Sequence, residues 1–281
     1  MLQLSDLSFS YHKQEKLFNH LELSLQKGAI FGLLGKNGAG KTTLLKIIAG
    51  LIFPDTGSCQ VMGHNPKNRR PDFLENSYFL PEDFCLPELT ADEYTDFYAP
   101  FYRKFDAALF KTYLADFDLP HDKLLTTLSH GQKKKFLLSF GLATNCQLLI
   151  LDEPTNGLDI PSKTQFKKLL ASTITEDRLI IISTHQVHDV EHLVDTIAIL
   201  DEGKIILNQP LINITKKLSF QLTQKDPNND KTLYSEKRLG NTLSVQLNDS
   251  NEETSIDLEA LFNAVLSNKT KIQHIFEGVP S

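Results

Sequence analysis

Cysteine is scarce in this sequence, with three among 281 residues at Cys59, Cys85 and Cys146. They are odd in number, lie far apart and form no CxxC, which excludes a disulfide framework and a cysteine zinc site. Three reduced and mostly buried thiols are expected. No apolar run approaches the roughly 18 residues needed to cross a bilayer. The first residues, Met1-Leu2-Gln3-Leu4-Ser5-Asp6, carry neither the basic nor the apolar region of a secretion signal. A soluble, cytoplasmic chain is expected, so any membrane work would leave the spanning to another chain. Basic residues are a minority, 29 against 35 acidic, for a net charge of -6. Phosphate backbones favour basic surfaces, so no nucleic-acid partner is expected. Internal repeats and low-complexity tracts are lacking too. The length allows one large domain, or one domain with an appendage.

Alternation and buried runs carry the fold. Leu7, Phe9 and Tyr11 alternate, as do Leu21, Leu23 and Leu25, and residues 2 to 34 read as strands. The run Ala29 to Leu34 is apolar throughout, as a strand buried on both faces is. Leu44 to Ala49 reads as a helix ending at Gly50. Residues 84 to 146 change to helical patterns, over Asp92 to Tyr102, Ala107 to Phe117 and Ser129 to Thr144. Buried strands then return at Gln147 to Leu151, Arg178 to Ser183 and Thr196 to Leu200, with helical segments at Ser162 to Thr173 and Val187 to Val194. This alternation predicts an α/β fold with a parallel sheet covered on both faces, interrupted by a helical insertion. From about residue 208 the chain turns polar. Asp226 to Asp230 reads as a loop, and Gly240-Asn241 as the turn of a hairpin between Tyr234–Leu239 and Thr242–Leu247. Asp257 is placed to cap a helix through Leu266. Residues 208–281 thus read as a small α+β appendage.

Between a buried strand and a helix stands Gly35-Lys36-Asn37-Gly38-Ala39-Gly40-Lys41-Thr42-Thr43. Gly35-x4-Gly40-Lys41-Thr42 is the phosphate-loop pattern in the context that pattern requires. Glycines let successive N–H groups curl inward onto phosphate oxygens, and the helix adds its positive end. Lys41 is placed to reach the β and γ phosphates, Thr42 to bind magnesium and Thr43 to reach the α phosphate. Mg-ATP is the expected ligand.

Leu148 to Leu151 ends in Asp152 and Glu153, at the strand end where open α/β sheets bind ligands. Asp152 is placed to hold the metal and Glu153 to polarise an attacking water as general base. A second buried strand ends at His185, facing the γ phosphate, where an imidazole can report that group. Leu128-Ser129-His130-Gly131-Gln132 opens a helix. Ser129 is either a plain N-cap or, with Gly131 and the bare helix end, part of a second phosphate surface. Lys133-Lys134-Lys135 reads as a solvated helix face.

Taken together, in this order and at these distances, these elements resemble the ATP-binding subunit of ABC transporters over residues 1 to about 207. Gly35 to Thr42 resembles the Walker A loop, Asp152 and Glu153 Walker B with its catalytic glutamate, and Leu128 to Gln132 the signature LSGGQ. Asn156-Gly157-Leu158-Asp159 resembles the D-loop, and His185 the switch histidine. The resemblance implies a P-loop NTPase core with an antiparallel β-subdomain and a helical subdomain at about 84–146. It further implies that Tyr11 stacks on adenine, that Ser129 and Gly131 serve an ATP held by a second cassette, and that Gln132 and Asp159 belong to the nucleotide site. Two departures stand out: His130 replaces one glycine of the signature pair, and Glu82 stands where many members carry a glutamine. Glu82 can still join water or magnesium contacts. The run Leu80-Pro81-Glu82 resembles subunits of ABC-2 type exporters.

The resemblance implies two cassettes, in a homodimer or with a paralogue, closing head to tail on two ATPs and driving a separate membrane permease from the inner face of the cell membrane. The permease is expected to dock near Glu82 and the helical block. Cassettes of DNA repair carry coiled-coil or zinc insertions, and those of translation factors come in pairs with a basic linker. This sequence has neither feature.

Overall fold

The computed structural model describes residues 1–11, 15–120, 122–224, 231–250 and 253–277. The expected loop at Asp226 to Asp230 lies outside the described residues. Strands β1 (Leu2–Ser10) and β2 (Lys16–Leu25) pair antiparallel. Leu21, Leu23 and Leu25 of β2 are buried, as their alternation predicts, whereas Tyr11 falls just past β1 and is half exposed. β3 (Ala29–Leu34) is buried along nearly its whole length. β4 (Thr56–Val61) returns to the other edge of β1, so the first sheet runs β2-β1-β4.

The main sheet holds β3 with β5 (Ser77–Leu80), β6 (Leu148–Asp152), β7 (Leu179–Thr184), β8 (Thr196–Asp201) and β9 (Lys204–Pro210), in the order β5-β6-β7-β3-β8-β9. Five strands are parallel, and β9 joins β8 antiparallel. The sheet is therefore mixed where a purely parallel one was expected, because the turn at Glu202-Gly203 is too short for a crossover helix. In register, Leu34 pairs with Thr184 and Asp152 with Ser183. The ends of β3, β6 and β7 thus line one edge of the sheet. The phosphate loop, the two carboxylates and His185 all leave the sheet there.

The helix after β3 spans Lys41–Ile48 and starts inside the glycine motif, three residues before the apolar stretch that announced it. Its N-cap is Gly40 at φ 104, where an added Cβ would stand 2.9 Å from the Phe18 ring. Only glycine suits both the left-handed backbone and that close approach. Between β5 and β6 lie the helices Ala91–Tyr98, Ala107–Asp116 and His130–Ala143. The first ends at Tyr98, short of the expected Tyr102, and a 3-10 turn, Ala99–Phe101, carries Pro100.

Ile160–Ser172 follows β6. The helix expected at Val187 to Val194 is not formed: a single 3-10 turn, Val187–Asp189, takes its place. Val187, Val190 and Val194 are all buried, so their helix-like spacing reflects tertiary packing. The segment is held by other partners. Asp189 accepts from Lys163 Nζ at 2.7 Å, and the Asp195 N–H donates to the Ile30 carbonyl at 2.9 Å.

A short helix, Leu211–Lys217, leads to a third sheet of β10 (Leu218–Thr223), β11 (Thr232–Arg238) and β12 (Asn241–Leu247), in the order β10-β12-β11. The hairpin turn is Leu239-Gly240, one residue earlier than expected. Both have positive φ, 39 and 83, and Asn241 is already paired with Arg238. Two-residue turns matching the strand twist need positive φ at both corners. Asp257 caps Leu258–Ser267 by accepting from the Ala260 N–H at 2.8 Å, and Lys269–Glu277 follows. The three cysteines are free, with Cys59 and Cys146 buried and Cys85 exposed, in line with mostly buried thiols.

Candidate nucleotide site

One cavity of about 400 Å³ gathers Tyr11, Leu17, Asn37, Gly38, Gly40, Lys41, Thr42, Thr43, Glu82 and Glu153. The phosphate loop thus faces residues from three other parts of the chain. Lys41 is 6% exposed, and its Nζ donates to the carbonyls of Gly35 at 2.8 Å and Lys36 at 3.2 Å. Burial lowers its pKa, while Glu153 and Asp152 favour its charge. Glu153 Oε1 lies 3.7 Å from that ammonium. Lys36, Asn37, Gly38 and Ala39 also line a second hollow, with Asp201, Glu202 and Lys269. Tyr11 Oη lies 3.1 Å from Thr43 Oγ1, and its ring meets Phe9 edge-on at 4.9 Å.

Glu153 sits at the end of β6 with φ 47. Its N–H donates to the Ser183 carbonyl at 3.1 Å and lies 3.2 Å from Ser183 Oγ. Its Oε1 accepts from the His185 N–H at 3.0 Å and stands 2.8 Å from His185 Nδ1. The histidine therefore grips this carboxylate twice.

Asp152 is fully buried. Oδ1 accepts from Ser183 Oγ, and Oδ2 has no hydrogen-bond partner among the described residues. A buried carboxylate oxygen without a partner is an acceptor fitted to a cation. Among the described residues no three His, Cys, Asp or Glu side chains converge on one point. That suits magnesium, which is usually held by one or two side chains together with substrate phosphates. Of the three residues expected to hold it, Thr42 and Glu82 line the cavity, while Asp152 lies fully buried. Glu82 shares the cavity, but its Oε1 already accepts from Asn156 Nδ2 at 3.0 Å.

The helix His130–Ala143 begins away from this cavity. Ser129 Oγ accepts from the Gln132 N–H at 3.3 Å, and Gln132 Oε1 accepts from the Ser129 N–H at 3.0 Å, a reciprocal cap. The two readings of Ser129 are compatible, because a capping side chain leaves the other first-turn N–H groups free to face outward. His130 stacks on Phe84 with ring centroids 5.1 Å apart. At Gly131 an added Cβ would lie 3.0 Å from the Gly157 carbonyl, so the signature and the D-loop touch within the chain. Asp159 caps Ile160–Ser172, and the side chain and N–H of Ser162 hold its pKa below the usual range. Ser129, Gly131, Gln132 and Asp159 do not line the cavity that holds Lys41.

The contacts of three residues escaped the sequence reading. Ser183 ties Asp152 to Glu153, and Asn156 holds Glu82. Lys134, expected on a solvated face, is instead 1% exposed. The signal was present: Leu137 and Leu138 lie three and four residues on, which puts position 134 on the inward face.

A second cavity, of about 640 Å³, lies between the helical block and the main sheet, with Leu51, Phe79, Tyr98, Phe101, Tyr102 and Ile150 among its walls.

Residues 18–156 match the family model described as ABC transporter. The chain is 32% identical over 234 residues to the bacitracin transport ATP-binding protein BcrA of Bacillus licheniformis, covering 80% of this chain and 76% of that protein. It is 33% identical over 215 residues to the SkfA peptide export ATP-binding protein SkfE of Bacillus subtilis (strain 168), covering 73% and 87%. A solved ATP-binding subunit of an ABC transporter superposes with a TM-score of 0.70 at 26% identity, covering 77% of this chain and 92% of that one.

Proposed function

We propose, because this chain belongs to the ABC transporter family of ATP-binding proteins, that it binds and hydrolyses ATP to drive a separate transmembrane permease. The observation that carries this is the convergence of Lys41, Thr42, Thr43 and Glu153 on one cavity. The loop N–H groups cradle the phosphates, and Lys41 turns from the Gly35 and Lys36 carbonyls to the β and γ oxygens. Tyr11 stacks on the base. Glu153 accepts the proton of the attacking water, and His185 aims its carboxylate from the next strand. Thr42, Asp152 and Glu82 would hold magnesium, which when bound would supply positive charge against the phosphates.

Ser129, Gly131, Gln132 and Asp159 stand outside the cavity, which supports a site completed by a second cassette. Two chains, or this chain and a paralogue, then close head to tail around two ATPs. Residues 1–207 form the cassette, with the helical subdomain at 84–146, and residues 208–281 form an accessory region. No helix among the described residues is long and apolar enough to cross a membrane. The chain works as a peripheral subunit, held on the inner face of the cell membrane by the permease. The name of SkfE, a peptide export protein, favours outward transport.

The test is Glu153→Gln. The variant keeps ATP binding, loses turnover by about 100-fold or more, as loss of a general base does, and dimerises more readily on ATP. Unchanged turnover would overturn the assignment of the base.

A further inference from the structure

Lys134 has no part in the reaction as described above, yet it is the most deeply buried cation near the site. It lies in the second turn of the helix opened by Ser129, 1% exposed. An ammonium in that position is costly unless it is paired. Its Nζ donates to the backbone carbonyl of Glu153 at 2.8 Å and stands 6.0 Å from the Phe84 ring centroid. Burial lowers its pKa, and Glu82 leads the anions that favour its charge, ahead of Glu153, Asp152 and Asp83.

Two features of the site depend on such a group. Glu153 has φ 47, a left-handed conformation that costs a non-glycine residue about 1–2 kcal/mol. Ser183 holds its N–H, and its carbonyl is held by Lys134 and, at 3.2 Å, by the Asn156 N–H, so both neighbouring peptides are anchored. The direction of the Cα–Cβ bond, and with it the carboxylate, follows from those two anchors. Glu82 also faces the same cavity as Glu153, where a second carboxylate repels both the base and the incoming phosphates. That charge favours the ammonium of Lys134, whose Nζ lies over the ring of Phe84, two residues on from Glu82.

We propose that Lys134 is a positioning residue for ATP hydrolysis, pinning Glu153 through its backbone carbonyl and offsetting the charge of Glu82. In this role it ties the signature helix to the strand end that carries the base. The proposal rests on Glu153 being the base.

The experiment is steady-state ATP hydrolysis by the full chain, with ATP binding measured in parallel, for Lys134→Met, Glu82→Gln and the double variant. Lys134→Met should lower kcat by about 100-fold, from misplacing the base and from leaving the charge of Glu82 unanswered. KM and ATP affinity should stay within about threefold. In the Glu82→Gln background the loss caused by Lys134→Met should shrink by at least about tenfold, because the charge it offsets is gone. A residue that only fills space would give the same loss in both backgrounds. Should Lys134→Met not fold, Lys134→Gln, which keeps a donor and loses the charge, runs through the same cycle with the same expectation. The proposal is overturned if kcat stays within about threefold of the parent, or if Glu82→Gln leaves the loss untouched. Glu153→Gln is run alongside. If it turns over like the parent, the base assignment has failed. If it is slow while Lys134→Met is not, only the role of Lys134 has failed.

Discussion

Gly141 shows how closely the helical block meets the sheet. A Cβ there would lie 2.3 Å from Tyr78 Cε1 and 2.7 Å from Cδ1. Tyr78 cannot swing aside, because its ring is buried and its hydroxyl donates to the Leu137 carbonyl at 3.0 Å. Gly141→Ala gains helix propensity on paper, but the overpacking should dominate at about 1–3 kcal/mol. Urea unfolding should show a lower midpoint with an unchanged slope. An unchanged or raised midpoint would mean that the β5–helix contact is looser than it looks. The same scale explains what could be read directly. Lys41, Asp152, Glu153 and His185 stood out because phosphate chemistry demands particular residue types at fixed places on strand ends. Lys134 and Ser183 act through backbone and second contacts, which no single residue type announces.

Among elements, strands buried on both faces were the easiest to read. β3, β6 and β7 lie at or near the centre of the main sheet, so they are buried along nearly their whole length and stay apolar up to the polar residues that end β6 and β7. β4 and β9 went unread because they are edge strands, and β4 buries only Cys59 and Val61 among its six residues. The segment after His185 misled for the opposite reason, since its valines are buried by neighbours and not by a helix of their own. Those neighbours include the helix Leu258–Ser267. His188 Nε2 lies 2.7 Å from Glu259 Oε2 and its Nδ1 3.7 Å from Glu191 Oε2, while the Leu258 N–H donates to Glu191 at 3.0 Å. Arg238 also approaches Glu259 at 3.6 Å, and Lys167 Nζ reaches the His188 carbonyl at 3.5 Å.

Partial burial lowers the pKa of His188, but Glu259 and Glu191 outweigh it and hold the value above 6.5. A raised folded pKa means stability fully present below about 6.5, the unfolded value, and lost as pH rises through the folded one. His188 is largely exposed, so the contribution is screened and at most about 1 kcal/mol. The parent should therefore melt above His188→Gln at pH 5.5 in low salt, and the gap should close by pH 8.5. A gap of equal size at both pH values would assign the contact to packing and not to charge.

At the scale of the whole molecule, the cavity between the helical block and the main sheet is the surface we assign to the proposed permease. Phe97 and Phe101 stand at 63% exposure each, with ring centroids 6.4 Å apart, and Phe101 forms part of the cavity wall with Tyr98 and Tyr102. A monomer has little reason to present such an apolar group beside an apolar hollow, and patches of this kind mark partner surfaces. A groove so lined accepts the apolar face of a short helix from the partner. Because the two rings are exposed, replacing both with serine should change stability by no more than about 0.5 kcal/mol per site. ATP turnover by the isolated chain should stay within about twofold of the parent. Recovery of the permease with the chain from detergent-solubilised membranes should fall by about 30-fold, the loss of one aromatic anchor worth about 2 kcal/mol. Equal recovery by parent and variant would move the docking surface elsewhere, whereas a parallel loss of turnover in the isolated chain would show that the rings support the cassette itself.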